Sequence, residues 1–247
     1  MPAGDLRQLI ADGCRVLAGR GVSDGIYGHI SARLGHDALM IRCRGPQERG
    51  LAWTSPHDVH PFTLDADPTG PDVSPGPWAA PSEFPIHAEI LRHREDVEVV
   101  VHAHSEHVVA ADLAGLGIRA ILGSYDIPGA HLVRSGLPVY GRSVLIRDRR
   151  LAGEMVTALG DRPAVILRAH GFVCTGTSVQ QAVLRAISID RLARMSLMVT
   201  AAGGRLVDIP DEDFAELPDL GAGFNIDTAW RHELARLPGE GRSDDGR

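Results

Sequence analysis

Apolar positions along the chain follow two rhythms, one helical and one extended. Between Asp5 and Arg20, the residues Leu6, Leu9, Ile10, Gly13, Val16 and Leu17 recur at helical spacing, and Gly19 and Gly21 stop the run. This predicts an amphipathic first helix. Gly28-His29-Ile30-Ser31-Ala32-Arg33 then leads into Ala38–Arg44, a short strand closed by Gly45-Pro46. From Asp65 to Pro85 the chain turns rich in Pro, Gly, Ser and Asp, a loop of a length that compact domains reserve for functional or mobile segments. A helix is expected around His87–Arg94. The run Val97-Glu98-Val99-Val100-Val101-His102-Ala103-His104 predicts a strand buried on at least one side, with Ser105 placed to cap a helix from Glu106 to Leu113.

An apolar segment at Ile118–Leu122 and a turn through Asp126–Gly129 precede a helix near Leu151–Leu159. The strand Ala164–Arg168 delivers His170-Gly171. The longest helix opens at Ser178, where Gln181 completes a capping box, and runs to about Ala202 before Gly203-Gly204. No internal repeat and no compositional break divides the chain. The economical reading is one α/β domain over residues 1–237, with 238–247 a disordered tail.

Composition narrows the function. Hydrophobic residues make up 44% of the 247 and charged residues 23%, enough to bury a substantial core. A net charge of −7 argues against a duplex nucleic-acid binder, which needs a clustered basic surface. No apolar stretch reaches the length that spans a bilayer, and the N-terminus reads as neither a basic nor an apolar leader region. The expected partner is a small molecule, not nucleic acid or membrane. The three cysteines, Cys14, Cys43 and Cys174, form no disulfide framework or CxxC pair and fit a reducing cytoplasm. Cys174 reads as a core residue, Leu192, Leu197 and Met198 as core or interface, and His57 and His60 as exposed loop histidines.

Histidine is the unusual entry in this composition, with twelve in the chain. Side chains alternate across a strand, so His102 and His104 project from one face, within reach of one metal ion. His170 follows a second apolar strand in the same manner. Three neutral imidazoles leave coordination positions free for substrate or water, the pattern of a catalytic metal site. Three separate histidines satisfied by hydrogen bonds at strand ends are the alternative. Glu83, pinned between Pro81 and Pro85, is either a fourth ligand and acid/base group or a charge complementing the following helix.

Gly28-His29-Ile30-Ser31-x-Arg33, Glu83-x-x-x-His87, Val-Val-Val-His102-Ala103-His104-Ser105 and Ala169-His170-Gly171 stand in an order that resembles the class II aldolase/adducin family over about residues 5–205. The resemblance implies a three-layer α/β/α domain with a central, largely antiparallel sheet. It also implies a homotetramer with sites between subunits. By the same resemblance, His102, His104 and His170 hold zinc or a similar divalent ion (Mn, Co or Fe), and Glu83 is the acid/base.

The chain departs from the sugar-phosphate aldolases in carrying His29 where they have Asn. It also has Ile41-Arg42-Cys43-Arg44-Gly45 where they have a small-residue phosphate loop. Two guanidinium groups suit bidentate capture of a carboxylate, and a strand through Arg44 would place Arg42 and Arg44 on one face. Tyr125 is the expected stand-in for the aldolase proton-transfer tyrosine, with His131 a further polar candidate. His29, Ser31, Arg42, Arg44 and His131 are therefore the expected substrate contacts. The departures resemble the family's decarboxylase-type members and imply a metal-dependent carbon–carbon lyase acting on a hydroxylated aromatic acid. Aldol cleavage of a small hydroxy-carbonyl compound, a three-histidine oxygenase and a non-catalytic adducin-like binding protein are the rival readings.

Overall fold

The computed structural model describes residues 3–66 and 76–238. The middle of the Pro/Gly-rich segment and the tail beyond residue 238 lie outside these, and with them the expectations of a functional loop and of a disordered end. The first helix is α1 (Ala3–Gly19). It is followed by a hairpin of β1 (His29–Leu34) and β2 (Ala38–Arg42), two short 3-10 turns, and β3 (Val59–Thr63). Next come α2 (Phe84–His93), β4 (Val99–Ala103) and α3 (Glu106–Leu113). Then follow α4 (Ile127–Leu132), β5 (Val139–Tyr140), α5 (Arg149–Leu159), β6 (Ala164–Leu167) and β7 (Gly171–Gly176). The long α6 (Val179–Ala201), the short α7 (Asp211–Ala215), a π-helical turn at Gly223–Thr228 and α8 (Ala229–Ala235) close the described chain.

The seven strands form one sheet in the order β3-β2-β1-β4-β7-β6-β5. Every pairing is antiparallel except β5 with β6. Strand alternation sends the two sides of each central strand into two separate cores. On one side Val99, Val101 and Ala103 of β4 join Ile10 and Leu17 of α1, Val108 of α3 and Val183 and Ile189 of α6. On the other, Val100 of β4 joins Ile86 and Ile90 of α2 and Leu151 and Met155 of α5. Helices therefore cover both faces of a largely antiparallel sheet, giving three layers.

Several boundaries move. β2 ends at Arg42, and Arg44 instead makes an isolated bridge with Ala79, so the two arginines do not share a strand face. The turn expected at Asp126–Gly129 is the start of α4, with the Asp126 carboxylate capping the Gly129 amide. Ser178 caps α6 by accepting from the Gln181 amide, as expected, but Gln181 reaches past it to the Thr177 amide. His60 is no loop residue: it stands on β3, half-buried, with its ring against Trp78.

Candidate metal centre

Three separate stretches converge at one end of the sheet. β4 carries His102 and ends beside His104; β7 begins at Gly171, directly after His170; α2 begins after Glu83. The register sets His102 opposite His29 of β1 on one flank and opposite Val173 of β7 on the other. Since Val100 faces the α2 side, His102 does too, and so do His29 and Ser31.

The turn into β7 is tightly determined. Ala169 adopts φ +52°, uncommon for a residue with a Cβ, and Gly171 adopts φ +151°. A Cβ at Gly171 would collide with the Ala103 carbonyl oxygen, so only glycine lets the β7 strand start this close to the end of β4. That close approach puts His170 beside His102 and His104.

The Nε2 atoms of His102, His170 and His104 lie 3.1, 3.5 and 3.8 Å from one carboxylate oxygen, Oε2 of Glu83. Ring centroids are 4.6 to 5.0 Å apart, each pair edge-on. One ligand atom from each of the four residues falls within 4.8 Å of the others. The chemistry of this donor set fits a divalent cation. Nδ1 of the fully buried His102 sits 3.0 Å from the Phe172 carbonyl oxygen and donates to it, which leaves the Nε2 lone pair for a metal. The other Glu83 oxygen accepts from the Ile146 amide at 3.2 Å, which fixes the carboxylate's direction.

At Glu83 and His104 the electrostatics favour the protonation states of ligands. Burial pushes the Glu83 carboxyl up, but His102, His170 and His29 outweigh it and hold the group well below the usual carboxylate range. Burial, with His102 and His170 next to it, lowers His104 to about 3. Neutral imidazoles and an ionised carboxylate are the forms that bind metal.

Behind the cluster a second row of polar groups is buried. His29 Nδ1 is 2.7 Å from His87 Nε2, and His87 Nδ1 is 2.6 Å from the Ser31 hydroxyl. The His29 ring lies 5.1 Å from that of His102. Burial first, then His102, lowers His87 to about 3; burial, His87 and His102 put His29 well below its ordinary value. His87 stands one helical turn beyond Glu83, a spacing that puts both on one face of α2 and that alone could have marked it as part of the site.

The remaining candidates scatter. Arg44 is half-buried and its charge acts on His104. Arg42 alternates with Ile41 and Cys43 and so faces the α1 side, opposite the histidines, where it pairs with Glu48. His131 packs edge-on against Phe214 in the α6-side core and lines a different cavity. Tyr125 is 69% exposed in the loop before α4, with no contact to the histidines among the described residues. Sequence reasoning passed over Tyr27, whose ring stacks on His104 with centroids 5.2 Å apart and planes 27° from parallel. It lies in a loop without periodic signal.

Residues 8–197 match the family described as Class II Aldolase and Adducin N-terminal domain. A 3,4-dihydroxyphthalate decarboxylase from Arthrobacter keyseri is 59% identical over 94% of this chain and 93% of its own length. A 3,4-dihydroxyphthalate decarboxylase from Terrabacter sp. is 58% identical over 94% and 96%. Among solved structures, an aldolase II superfamily protein from Pseudomonas syringae superposes with a TM-score of 0.77 over 96% of this chain and 94% of its own, at 21% identity.

Proposed function

This chain belongs to the class II aldolase and adducin family, and on that premise we propose that it is a metal-dependent carbon–carbon lyase decarboxylating a dihydroxylated aromatic acid of the 3,4-dihydroxyphthalate type. The observation that carries the reading is the convergence of three Nε2 atoms on one buried carboxylate, in a chain 59% identical to a decarboxylase of that substrate. His102, His104 and His170 would hold the ion, with zinc the best match to imidazole and carboxylate donors. When bound, the cation supplies Lewis-acid polarisation of substrate oxygen.

The rest of the chemistry belongs to the chain. Glu83, ionised in the fold, accepts the proton of a substrate hydroxyl as that hydroxyl docks against its Oε2. It then passes the proton to the ring carbon that carries the departing carboxylate. The carbon–carbon bond breaks, carbon dioxide leaves, and the bonding pair restores the aromatic ring; the phenolate that remains takes one proton from solvent. Arg44, whose charge reaches His104, orients the carboxylate that is retained. The His29–His87–Ser31 row holds the wall of the site in one tautomeric arrangement and keeps water out.

The same reading treats residues 1–237 as one catalytic domain. Its expected assembly is a homotetramer, in which exposed Tyr125 is available to a neighbouring copy's site and remains the proposed proton-transfer aid. His131 acts in substrate binding only if the assembly brings it to a site from another copy, and Arg42, buried against Glu48, acts as a structural pair. Among the described residues no helix is long and apolar enough to cross a membrane, and all three cysteines are buried and unpaired, in keeping with the cytoplasm.

Elemental mass spectrometry of the purified protein beside His104→Ala, with carbon dioxide release measured from dihydroxylated aromatic acids, tests the reading. About one divalent ion per chain, lost in the variant together with carbon dioxide release, is the expected result. A wild-type protein that takes up no metal after reconstitution overturns it.

A further inference from the structure

We propose that Tyr27 is the aromatic wall of the substrate site and selects planar aromatic substrates over aliphatic ones. The inference rests on the lyase reading above and adds the residue that sets its substrate class. Tyr27 presents one ring face to His104, near-parallel at 5.2 Å, and its side chain is otherwise 54% exposed. An exposed tyrosine stacked on the imidazole of an inferred ligand leaves its free surface beside the place where substrate must dock. A planar ring chelated through its hydroxyls gains offset-stacking contact there, which a sugar or short aliphatic acid cannot match.

The loop is built to hold this ring still. The buried Ser23 hydroxyl donates to the Tyr27 carbonyl at 3.1 Å and accepts from the His104 amide at 3.2 Å, so one side chain ties both stacked residues together. Gly28 follows at φ +89°, and a Cβ there would strike the same hydroxyl and crowd the His102 carbonyl. Further back, the Leu51 amide donates to the Gly25 carbonyl at 3.1 Å and pins the start of the loop. A two-torsion side chain on an anchored backbone loses little freedom when it meets a ligand.

The test compares zinc-loaded wild type, Tyr27→Ala and Tyr27→Phe by titration calorimetry. The probes are 3,4-dihydroxybenzoate, an aromatic catechol acid, and tartrate, an aliphatic hydroxy acid with similar chelating groups. Metal content and the upfield ring-current shift of the bound probe's ring protons are read on the same samples. The expected result is about tenfold weaker binding of the aromatic probe to Tyr27→Ala, with its ring-current shift gone. Tartrate affinity and metal content stay unchanged, and Tyr27→Phe retains wild-type behaviour. Aromatic affinity equal to wild type in Tyr27→Ala overturns the proposal. So does equal loss of both probes together with the metal, which would make Tyr27 only a support for His104. A wild-type protein that shows the aromatic discrimination but releases no carbon dioxide from 3,4-dihydroxyphthalate refutes the decarboxylase reading and leaves the role of Tyr27 standing.

Discussion

Two clusters of charged and polar side chains sit on opposite sides of the sheet, and they differ in how their charges are matched. Beside α4, α6 and α8 lies a cavity of about 750 Å³, lined by Asp126, His131, Arg185, Arg191 and Glu233 among others. There Asp126 receives the Arg191 guanidinium at 2.7 Å, the Ser188 hydroxyl and the Gly129 amide, while Arg20 approaches Glu233. Acid meets base, and the carboxylate's demand for hydrogen bonds is met. At the candidate metal centre four electron-pair donors face one another instead: three imidazole nitrogens and a carboxylate, with no guanidinium or ammonium ion-paired to Glu83 among the described residues. The contrast teaches that a candidate functional cluster is recognised by what its donors still lack.

The comparison is broken most severely by removing the carboxylate where donors converge. Glu83→Gln keeps the shape but cannot carry the proton, and turnover is expected to fall by about 10²–10⁴-fold, read as carbon dioxide release, with the fold unchanged by circular dichroism. Activity within a fewfold of wild type would assign the proton transfer elsewhere. His87→Ala tests the buried second row. Loss of its bonds to His29 and Ser31 is expected to lower metal affinity by about 10–100-fold, read by competition with a chromogenic chelator.

The same residue predicts a pH effect. His87 in the fold sits near 3, below its ordinary 6.5, so between these values the unfolded chain takes up a proton that the folded chain refuses. Its contribution to stability is complete above about pH 6.5 and is lost as pH falls toward 3. The melting temperature of the metal-free wild type should therefore drop more between pH 7.5 and 4.5 than that of His87→Gln; equal slopes would contradict the assignment. The smallest effect on chemistry is expected in the other cavity. Asp126→Asn strips Arg191 of its partner and costs about 1–3 kcal/mol of stability, lowering Tm by several degrees, with turnover unchanged. A large loss of turnover there would dissolve the distinction between the clusters.

The elements with strong local signals were legible in the chain. The periodic α1, the uninterrupted valines of β4, and Ser105 and Ser178 as caps all stand within a residue or two of expectation. His102 and His104 are within reach of each other because strand alternation is a local rule, and their approach to His170 follows from two strand ends pairing. What the chain concealed depends on contacts distant in sequence. β7 starts immediately after His170 because Gly171 nestles on the Ala103 carbonyl, a fact of tertiary packing. Arg42 turns from the histidines because alternation along β2 points it toward α1, and Arg44 leaves that face because β2 ends at Arg42. His131 has the chemistry of a site residue, but α4 packs against α6 and carries it to the Phe214 ring.

Among the described residues β7 is the last strand, yet it occupies an inner place in the sheet between β4 and β6. The bond from His102 to the Phe172 carbonyl spans 70 residues of sequence. A growing chain that has emerged only through α5 already carries Glu83, His102 and His104, but it lacks the strand that fixes the orientation of His102 and the histidine that completes the set. Such long-range pairing comes late in folding, because the entropy of closing the loop is lost before any contact repays it. Assembly order therefore leaves the candidate site for last: its four donors come together only when the sheet around them is finished.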